Sequence, residues 1–192
     1  MEISLYNEFK RKAIHLFALS VPIGYYLLPR EIALLILIPI TLGSIIVDIV
    51  RLRNLPLAGF LNWLLGPILR EHESWDLTGS SYILSASVLC IMFLNKKVAI
   101  AAIAYIILGD IAAAIIGRAY GRTKIGKKSL EGSLAFLGVG LLIALFLPGL
   151  PFWVGAIGAL VATAVEALNI PLNDNLSVPL ASGLIMEILI LL

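Results

Sequence analysis

The sequence predicts an all-α membrane protein: a polytopic helical bundle of about seven transmembrane helices, with one further interfacial or re-entrant helix. Of its 192 residues, 60% are hydrophobic and only 14% are charged, whereas a typical soluble domain has about 25% charged residues. The mean hydropathy is +1.03. The apolar residues also fall into segments near the roughly 20 residues that cross the hydrocarbon layer. No repeat or linker divides the chain, so we expect one membrane-embedded domain over residues 1–192.

Seven apolar segments are candidate spans, although some are short. Their approximate bounds are 13–28, 32–50, 77–95, 97–117, 134–149, 151–168 and 176–192. The segment 54–69 is also apolar, but two prolines and two glycines interrupt it. We interpret it as the interfacial or re-entrant helix. An eighth span is the alternative, and it would invert the topology of everything after it.

The basic residues support an orientation with the N-terminus in the cytoplasm. Seven spans then place 11 of the 14 basic residues on the cytoplasmic side, as the positive-inside rule requires. The other side receives only Arg30, Lys96 and Lys97. We therefore expect a multi-pass protein with its active face in the cytoplasm, in the plasma membrane of an archaeon or bacterium because the chain is compact. Nucleic-acid binding is not expected, since the basic residues lie in short loops between spans.

The most informative segment runs from the end of the fourth span through the loop 118–133. Cationic side chains and bare glycine backbone suit a polyphosphate. The candidate nucleotide-binding residues are Arg118, Gly121, Arg122, Lys124, Lys127, Lys128, Ser129 and Gly132, with Lys12 from the first helix. A solvated loop that attracts lipid head groups is the alternative. The spacing of Gly121, Gly126 and Lys127 resembles a P-loop, but Lys128 stands where Ser or Thr is required and a membrane helix precedes the loop, so a P-loop NTPase is rejected.

Four carboxylates are candidates for a Mg²⁺ site: Asp110, Glu131, Glu166 and Asp174. Asp110 and Glu166 lie inside apolar spans, where a carboxylate is costly unless it is paired or binds a metal. A structural hydrogen bond between helices is the alternative for Asp110. The small residues Gly109, Ala113 and Gly117 form a stripe that should let another helix approach closely.

Three weaker features lie outside this segment. Asp48 is three residues before Arg51, so the two can pair on one helix face. The acidic cluster of residues 71–76 before the third span is consistent with a solvated turn, and His72 has no partner at metal-site spacing. His15, with Arg11 and Lys12 on the same side of the first helix, is consistent with a positively charged anchor.

Together, these residues resemble the family of CTP-dependent lipid-alcohol kinases, which groups dolichol kinase, phytol kinase and CTP-dependent diacylglycerol kinase. The resemblance covers most of the chain, and its central block is long and specific. It rests on Arg11-Lys12-x-x-His15, Gly109-Asp110-x-x-Ala113, Gly117, Gly121, Lys124-x-x-Lys127-Lys128-Ser129-x-Glu131-Gly132-Ser133, Glu166 and Asp174-Asn175-Leu176-x-Val178-Pro179.

The resemblance implies transfer of the γ-phosphate of CTP to the hydroxyl of a membrane lipid alcohol, with the dolichol or polyprenol type favoured, and with Mg²⁺. It implies that Asp110, Glu131 and Asp174 serve as metal ligands or base, with His15 as a less favoured base. The partners would be CTP, the lipid alcohol and the bilayer, and an oligomer is possible. The choice of alcohol, of CTP over another nucleotide, and of the carboxylate that acts as base remains open.

Two rivals are weighed against this interpretation. A CDP-lipid synthase of the phosphatidate cytidylyltransferase type would share nucleotide, membrane and metal, but its paired-aspartate signature is absent from the sequence. A non-enzymatic transporter or lipid-binding protein should show inverted repeats and broken helices near the midplane. Here the polar residues are instead predicted to cluster at one interface.

Overall fold

The computed structural model describes residues 16–66, 69, 72–126, 128–168 and 171–192. They form an all-helical bundle, which confirms the predicted class. Its helices are α1 Ser20–Leu27, α2 Arg30–Leu52, α3 Ala58–Leu65, α4 Gly79–Phe93, α5 Lys96–Tyr120, α6 Leu130–Phe146, α7 Phe152–Ala167 and α8 Asp174–Leu191. A short 3-10 turn covers His72–Ser74, and a two-stranded antiparallel hairpin, β1 Lys124–Ile125 with β2 Lys128–Ser129, joins α5 to α6. The sequence did not predict this hairpin.

Helix α5 is the centre of the bundle. It packs against α1, α4, α6, α7 and α8, and every side chain from Val98 to Ile107 is buried. This stretch alternates alanines with isoleucines and one tyrosine, so the surrounding helices can approach it on all sides. Tyr105 is fully buried, and its hydroxyl donates a hydrogen bond to the carbonyl oxygen of Gly155 at 2.9 Å. A helix that is apolar on all faces is buried on all faces.

Small residues set the distances between the core helices. A Cβ at Gly109 would lie 2.6 Å from the Phe136 ring, and one at Gly132 would lie 2.9 Å from the Ala113 carbonyl oxygen. The predicted stripe of Gly109, Ala113 and Gly117 therefore lets α6 approach α5 closely, as expected.

Several helices begin where a side chain caps the first turn. Thr78, Asn95, Ser129 and Asn173 each accept a hydrogen bond from a backbone N–H of the helix that follows. Such caps satisfy donors that the helix itself leaves unpaired. The Ser129 cap starts α6 at Leu130, four residues before the predicted fifth span. At the other boundary α5 continues to Tyr120, so Arg118 lies in its last turn, where a positive charge suits the helix dipole.

Three helices, α2, α5 and α8, are long and apolar enough to cross a membrane. Helices α4, α6 and α7 are apolar but shorter, with 15, 17 and 16 residues. Helix α3 has eight residues and is therefore only about 12 Å long. The hydrocarbon layer that a span must cross is about 30 Å thick. Its outward side chains Phe60, Trp63 and Leu64 are exposed.

Polar contacts separate the bundle into two ends. At the end that we call the Arg30 end, Arg30 donates to the Leu94 carbonyl at 2.7 Å, Lys96 donates to the Leu28 carbonyl at 2.8 Å, and Glu187 accepts from the backbone N–H of Asn95 at 2.7 Å. The opposite end, which we call the Lys128 end, contains the C-terminus of α2, the hairpin, the last turn of α7 and the first turn of α8. The three basic residues expected on the minority side lie at the Arg30 end.

Close packing of α6 and α7 predicts a sharp difference between two glycines. A Cβ at Gly155 would lie 2.6 Å from the Ala144 Cβ and 3.2 Å from its Cα, whereas one at Gly138 would have nothing within 4 Å. Gly155→Ala should cost up to about 2 kcal/mol, because overpacking by roughly 1–3 kcal/mol opposes the roughly 1 kcal/mol gained in helix propensity. Gly138→Ala should be neutral or stabilising. Thermal unfolding in detergent measures both, and an equal Tm for the two variants would contradict this packing.

Candidate active site

The Lys128 side chain joins three separate segments at the Lys128 end. Its Nζ lies 2.8 Å from Glu166 Oε1 and 2.8 Å from Asp174 Oδ2, and it also donates to the Glu166 carbonyl oxygen. Glu166 lies in the last turn of α7 and Asp174 begins α8. The Glu166 side chain is 6% exposed and that of Asp174 is 40% exposed. One ammonium group therefore offsets a buried and a solvent-accessible carboxylate.

The surroundings hold Lys128 in its charged form. Burial lowers the pKa of Lys128, but the hydrogen bonds that Lys128 donates to Asp174 and Glu166 and the negative charges of both carboxylates outweigh burial. The net result is a pKa above the ordinary 10.5. The other carboxylate oxygen of Glu166, Oε2, is buried without a hydrogen-bond partner among the described residues, and the charges of Asp174 and Asp110 both act on this carboxylate.

The hairpin positions Lys128 and presents further cations to solvent. Its strands pair Lys124 with Ser129 and Ile125 with Lys128, and Gly126 adopts φ +59° at the turn, a left-handed conformation that glycine accepts readily. Glu131 closes the base of the hairpin, because its carboxylate accepts from the Thr123 N–H at 3.1 and 3.3 Å. Arg122 and Lys124 are exposed.

The candidate nucleotide-binding glycines, Gly121 and Gly132, lie together with Gly117 where α5, α6 and the hairpin meet. A Cβ at Gly117 or at Gly121 would lie 2.9 Å from the Ser129 hydroxyl oxygen, and one at Gly132 would lie 3.4 Å from the Gly117 Cα. The Ser129 hydroxyl itself accepts from the Gly132 N–H at 3.1 Å. These contacts assign Gly117, Gly121 and Gly132 a packing role that fixes the start of the hairpin on α5.

A second polar cluster lies between α2 and α4, and the sequence identified only its first pair. Asp48 and Arg51 are 1% and 4% exposed, and their Oδ1 and Nη2 atoms lie 3.3 Å apart. Arg51 also donates to the carbonyl oxygens of Glu73 at 2.7 Å and Asp76 at 2.8 Å. Asp48 Oδ2 accepts from Thr78 and Ser81, including the Ser81 hydroxyl at 2.6 Å. The predicted pairing is confirmed.

The interpretation of residues 71–76 as a solvated turn is wrong for Glu73. Its side chain is buried, at 6% exposure, and its carboxylate accepts from the Gly79 N–H at 2.8 Å. The segment folds back over the end of α2, where its backbone carbonyls accept hydrogen bonds from the Arg51 guanidinium. The sequence did contain a signal for this contact. The Asp48–Arg51 pair at the end of an apolar helix leaves some N–H donors of the guanidinium without an assigned acceptor.

A cavity of about 490 Å³ opens between α1, α2, α3, α4 and α5. Most of its wall is apolar, and its polar part contains the side chains of Asp48, Glu73, Thr78, Asp110 and Asn175. Asn175 Nδ2 donates to the Gly79 carbonyl at 3.2 Å. Asp110 thus lines the cavity, ten residues before the end of α5. Because Asp174 and Asn175 are consecutive, the first turn of α8 belongs both to the cavity and to the Lys128 cluster.

The predicted site residues therefore divide into groups. Lys128, Glu166 and Asp174 meet, Asp110 lines the neighbouring cavity, and Glu131 holds the hairpin. Arg118, Arg122 and Lys124 lie around the hairpin. Lys12, His15 and Lys127 lie outside the described residues. Within the described ranges, no three acidic, histidine or cysteine side chains gather closely enough to hold a metal ion on their own.

The chain is a helical protein with helices that can cross a membrane and with a charged cluster at one end of the bundle. The chain is 30% identical over 184 residues to the uncharacterized protein RP860 of Rickettsia prowazekii, covering 91% of this chain and 90% of that protein. It belongs to the same family as that bacterial protein. No protein-family model matches the chain, and no solved structure matches it.

The α2–α4 cluster makes Arg51 a structural residue. Arg51→Met would leave the buried Asp48 carboxylate without its cation, and breaking such a pair costs about 3–5 kcal/mol. Arg53→Met changes an exposed arginine two residues away and should cost less than about 0.5 kcal/mol. Denaturant unfolding in detergent gives both values, and a loss under 1 kcal/mol for Arg51→Met, an order-of-magnitude bound, would contradict the cluster's role.

The Lys128 cluster predicts both the size and the pH dependence of a stability change. Lys128→Met should cost about 3 kcal/mol, the lower end of the range for a broken buried pair, because the lysine side chain keeps 28% exposure. Lys128→Met combined with Glu166→Gln should recover part of this loss. The exposed Lys124→Met is the matched control.

Since folding raises the pKa of Lys128, its contribution should be complete below the ordinary value of 10.5 and decline only as pH rises through the higher folded pKa. The Tm difference between wild type and Lys128→Met should therefore stay constant from neutral pH to 10.5. A difference that vanishes below that pH would show that the lysine is not held as described.

Proposed function

We propose that this protein is a multi-pass membrane enzyme that transfers the γ-phosphate of CTP to the hydroxyl of a polyprenol-type lipid alcohol at the cytoplasmic face. The observation that carries the proposal is the half-buried Lys128 ammonium, held between Glu166 and Asp174 beside a hairpin with exposed cations. Phosphoryl transfer is catalysed mainly by positioning and charge neutralisation. A charged lysine at the end of an apolar bundle supplies both at the boundary between lipid and water.

The resemblance to CTP-dependent lipid-alcohol kinases gains support because matching residues that are far apart in the sequence lie together in the fold. Lys128 belongs to the central block of matching residues, whereas Glu166 and Asp174 belong to two later pieces. The Lys128 ammonium lies 2.8 Å from a carboxylate oxygen of each of the other two residues. Residues that match a family pattern far apart in sequence and then meet at one point are expected of a functional site. The choice of CTP rests on the resemblance alone.

In the proposed mechanism, the hairpin receives the triphosphate. Exposed Arg122 and Lys124 bind it first, and Lys128 neutralises charge on the transferred group. A phosphate oxygen would compete with Asp174 for the Lys128 ammonium, since the Asp174 carboxylate is 40% exposed and can be solvated when it is released. Glu166 is buried and keeps the lysine in place during this exchange. Asp110, at the polar part of the cavity, accepts the proton of the acceptor hydroxyl.

Mg²⁺ would arrive with the nucleotide, because this ion is usually held by one or two carboxylates together with substrate phosphates. The residues fit that arrangement, because Glu166 Oε2, which has no hydrogen-bond partner within the described part of the chain, and the accessible carboxylate of Asp174 could both act as ligands. When bound, the ion would add charge neutralisation on the phosphates.

The proposed topology keeps about seven spans. Helices α4, α6 and α7, with 15 to 17 residues, would measure about 23–26 Å, so a span of this kind requires local thinning of the bilayer. Many large apolar side chains face outward, among them Leu35, Phe93 and Phe146 with exposures of 70% or more. A lipid environment would cover this surface without a partner protein.

The decisive experiment measures which phosphate of CTP is transferred to the lipid. Purified protein in detergent with Mg²⁺ is incubated with a panel of lipid alcohols and phosphatidate, and with CTP labelled at the α or the γ position. Label from the γ position in the lipid fraction is the expected result, and the labelled product identifies the alcohol. Label from the α position would establish a cytidylyltransferase instead. No transfer from either position, with ATP also inert, would refute the enzyme.

Variants connect this activity to the site. Lys128→Ala should lower kcat by about 10²–10³, the loss seen when a preorganised charge-stabilising group is removed, and Asp110→Asn should lower it to a similar extent. Lys97→Ala, an exposed lysine at the Arg30 end, is the matched control and should leave turnover unchanged. Full activity in both Lys128→Ala and Asp110→Asn would overturn the proposal.

A further inference from the structure

We propose that the chain contains an internal repeat, and that a clasp between its two copies holds the Arg30 end of the bundle closed. The copies are the helix pairs α1–α2 and α4–α5. The clasp consists of two hydrogen bonds, from Arg30 to the Leu94 carbonyl at 2.7 Å and from Lys96 to the Leu28 carbonyl at 2.8 Å. The clasp is independent of the proposed function, because none of its groups belongs to the Lys128 cluster.

The turns that join the two helices of each pair have the same backbone conformation. Leu28 has φ −101° and ψ 151°, and Leu94 has φ −105° and ψ 161°. The residues that follow, Pro29 and Asn95, have φ −65° and −55° and ψ 157° and 143°. In each pair the first helix ends just before the leucine, and the second helix begins just after the proline or asparagine. The turns are therefore equivalent residue by residue.

The hydrogen bonds that end the first helices follow the same equivalence. The Leu28 N–H donates to the Gly24 carbonyl at 2.9 Å, and the Leu94 N–H donates to the Cys90 carbonyl at 3.0 Å. A short sequence match extends into the second helices at the same offset, with Leu42-Gly43-x-Ile45 in α2 and Leu108-Gly109-x-Ile111 in α5. Apolar residues recur in any membrane helix, so the sequence alone did not distinguish this match.

The clasp has the symmetry that this equivalence requires. Exchange of the two copies converts the bond from Arg30 to Leu94 into the bond from Lys96 to Leu28, so an approximate twofold axis relates the two bonds. Both first helices end at the Arg30 end and both second helices begin there, so the axis runs along the bundle. Helix packing agrees with it, because α1 packs against α5 and α4 packs against α2.

Each cation of the clasp satisfies a helix end that belongs to the other copy. The last carbonyls of a helix have no partner within that helix, and an unpaired carbonyl is costly next to hydrocarbon. The helix dipole also favours a cation at this position. In addition, Lys96 Nζ lies 5.2 Å from the centre of the Tyr25 ring, which attracts the ammonium group. The clasp thus explains why two cations occur on the minority side of the predicted topology.

An apolar layer lies between the clasp and the cavity. Tyr25, Ile91 and Val98 are next to the clasp along their helices and are 2%, 1% and 0% exposed. Among the described residues of α2, the lining of the cavity begins at Leu37, about 10 Å along the helix from Arg30. Exchange between the cavity and the Arg30 end would therefore require the clasp to open.

Cys90 is a natural probe of the clasp. It is the single cysteine of the sequence, it is fully buried, and it lies one helical turn before Leu94. The protein in nanodiscs is treated with N-ethylmaleimide, and mass spectrometry gives the rate of Cys90 alkylation. Arg30→Met combined with Lys96→Met should raise this rate at least about tenfold, because a lost hydrogen bond to a charged group shifts a local opening equilibrium by about that factor. An unchanged rate would overturn the clasp.

Two further variants serve as control and as a test of the repeat. Arg53→Met removes an exposed cation at the other end of α2 and should change the rate by less than about twofold. Arg30→Lys combined with Lys96→Arg keeps a cation at both equivalent positions, so its rate should stay within about threefold of wild type. Labelling as fast as in the double methionine variant would show that the two positions are not equivalent and would refute the repeat.

A second thiol separates local opening from loss of the fold. Ala162→Cys in a Cys90→Ala background places a thiol at a fully buried position one turn before Glu166, toward the Lys128 end. Loss of the clasp should leave its labelling rate unchanged. If both rates rise in the double methionine variant, the milder Lys96→Met decides, and equal acceleration of the two thiols there would refute a local clasp.

The wild-type rate carries information of its own. Slow alkylation of Cys90 is expected of a closed Arg30 end. Alkylation as fast as that of a free thiol would show that this end opens readily, and it would favour the transporter alternative, in which parallel repeats also occur. These measurements use neither nucleotide nor lipid alcohol, so the clasp and the proposed phosphate transfer fail separately.

Discussion

The close approach of α5 and α6 at Gly117 and Gly132 is the constraint on which the charged cluster depends. Because neither residue has a Cβ, the Ser129 hydroxyl can lie against α5 while it caps α6. That contact fixes where the chain turns, and it therefore fixes the position of the hairpin. Lys128 reaches α7 and α8 because its strand begins at this junction. A packing detail between two apolar helices thus determines the position of a charge.

In two clusters of this bundle, buried charge is offset locally near a helix end. Asp48 receives a guanidinium three residues away together with hydroxyl donors from α4. Glu166 receives an ammonium from the hairpin. In both clusters the cation also bonds to backbone carbonyls, so desolvation of its donors is offset along with its charge. The same contacts hold the charged side chains in fixed positions, as the proposed phosphate transfer would require.

Composition and the spacing of apolar segments predicted the all-helical class and the positions of most helices, because the membrane signal is carried by long runs of residues. Helix ends were less predictable, since caps such as Ser129 are single-residue effects. The meeting of Lys128 with Glu166 and Asp174 depends on how three helices pack, which no local pattern encodes. The buried position of Glu73 was missed for the same reason: an acidic stretch before a span resembles a solvated turn until the donors of Arg51 are counted.

The first turn of α8 is shared by two neighbouring regions, and this has a thermodynamic consequence. Asp174 bonds to Lys128 on one side, and Asn175 bonds to Gly79 beside the cavity on the other. A rigid helical turn transmits a displacement of one residue to the next. A ligand that displaced this turn on one side would change affinity on the other, and the two effects would be equal in free energy by linkage. Occupation of the cavity and occupation of the Lys128 cluster would thus be coupled through this one turn.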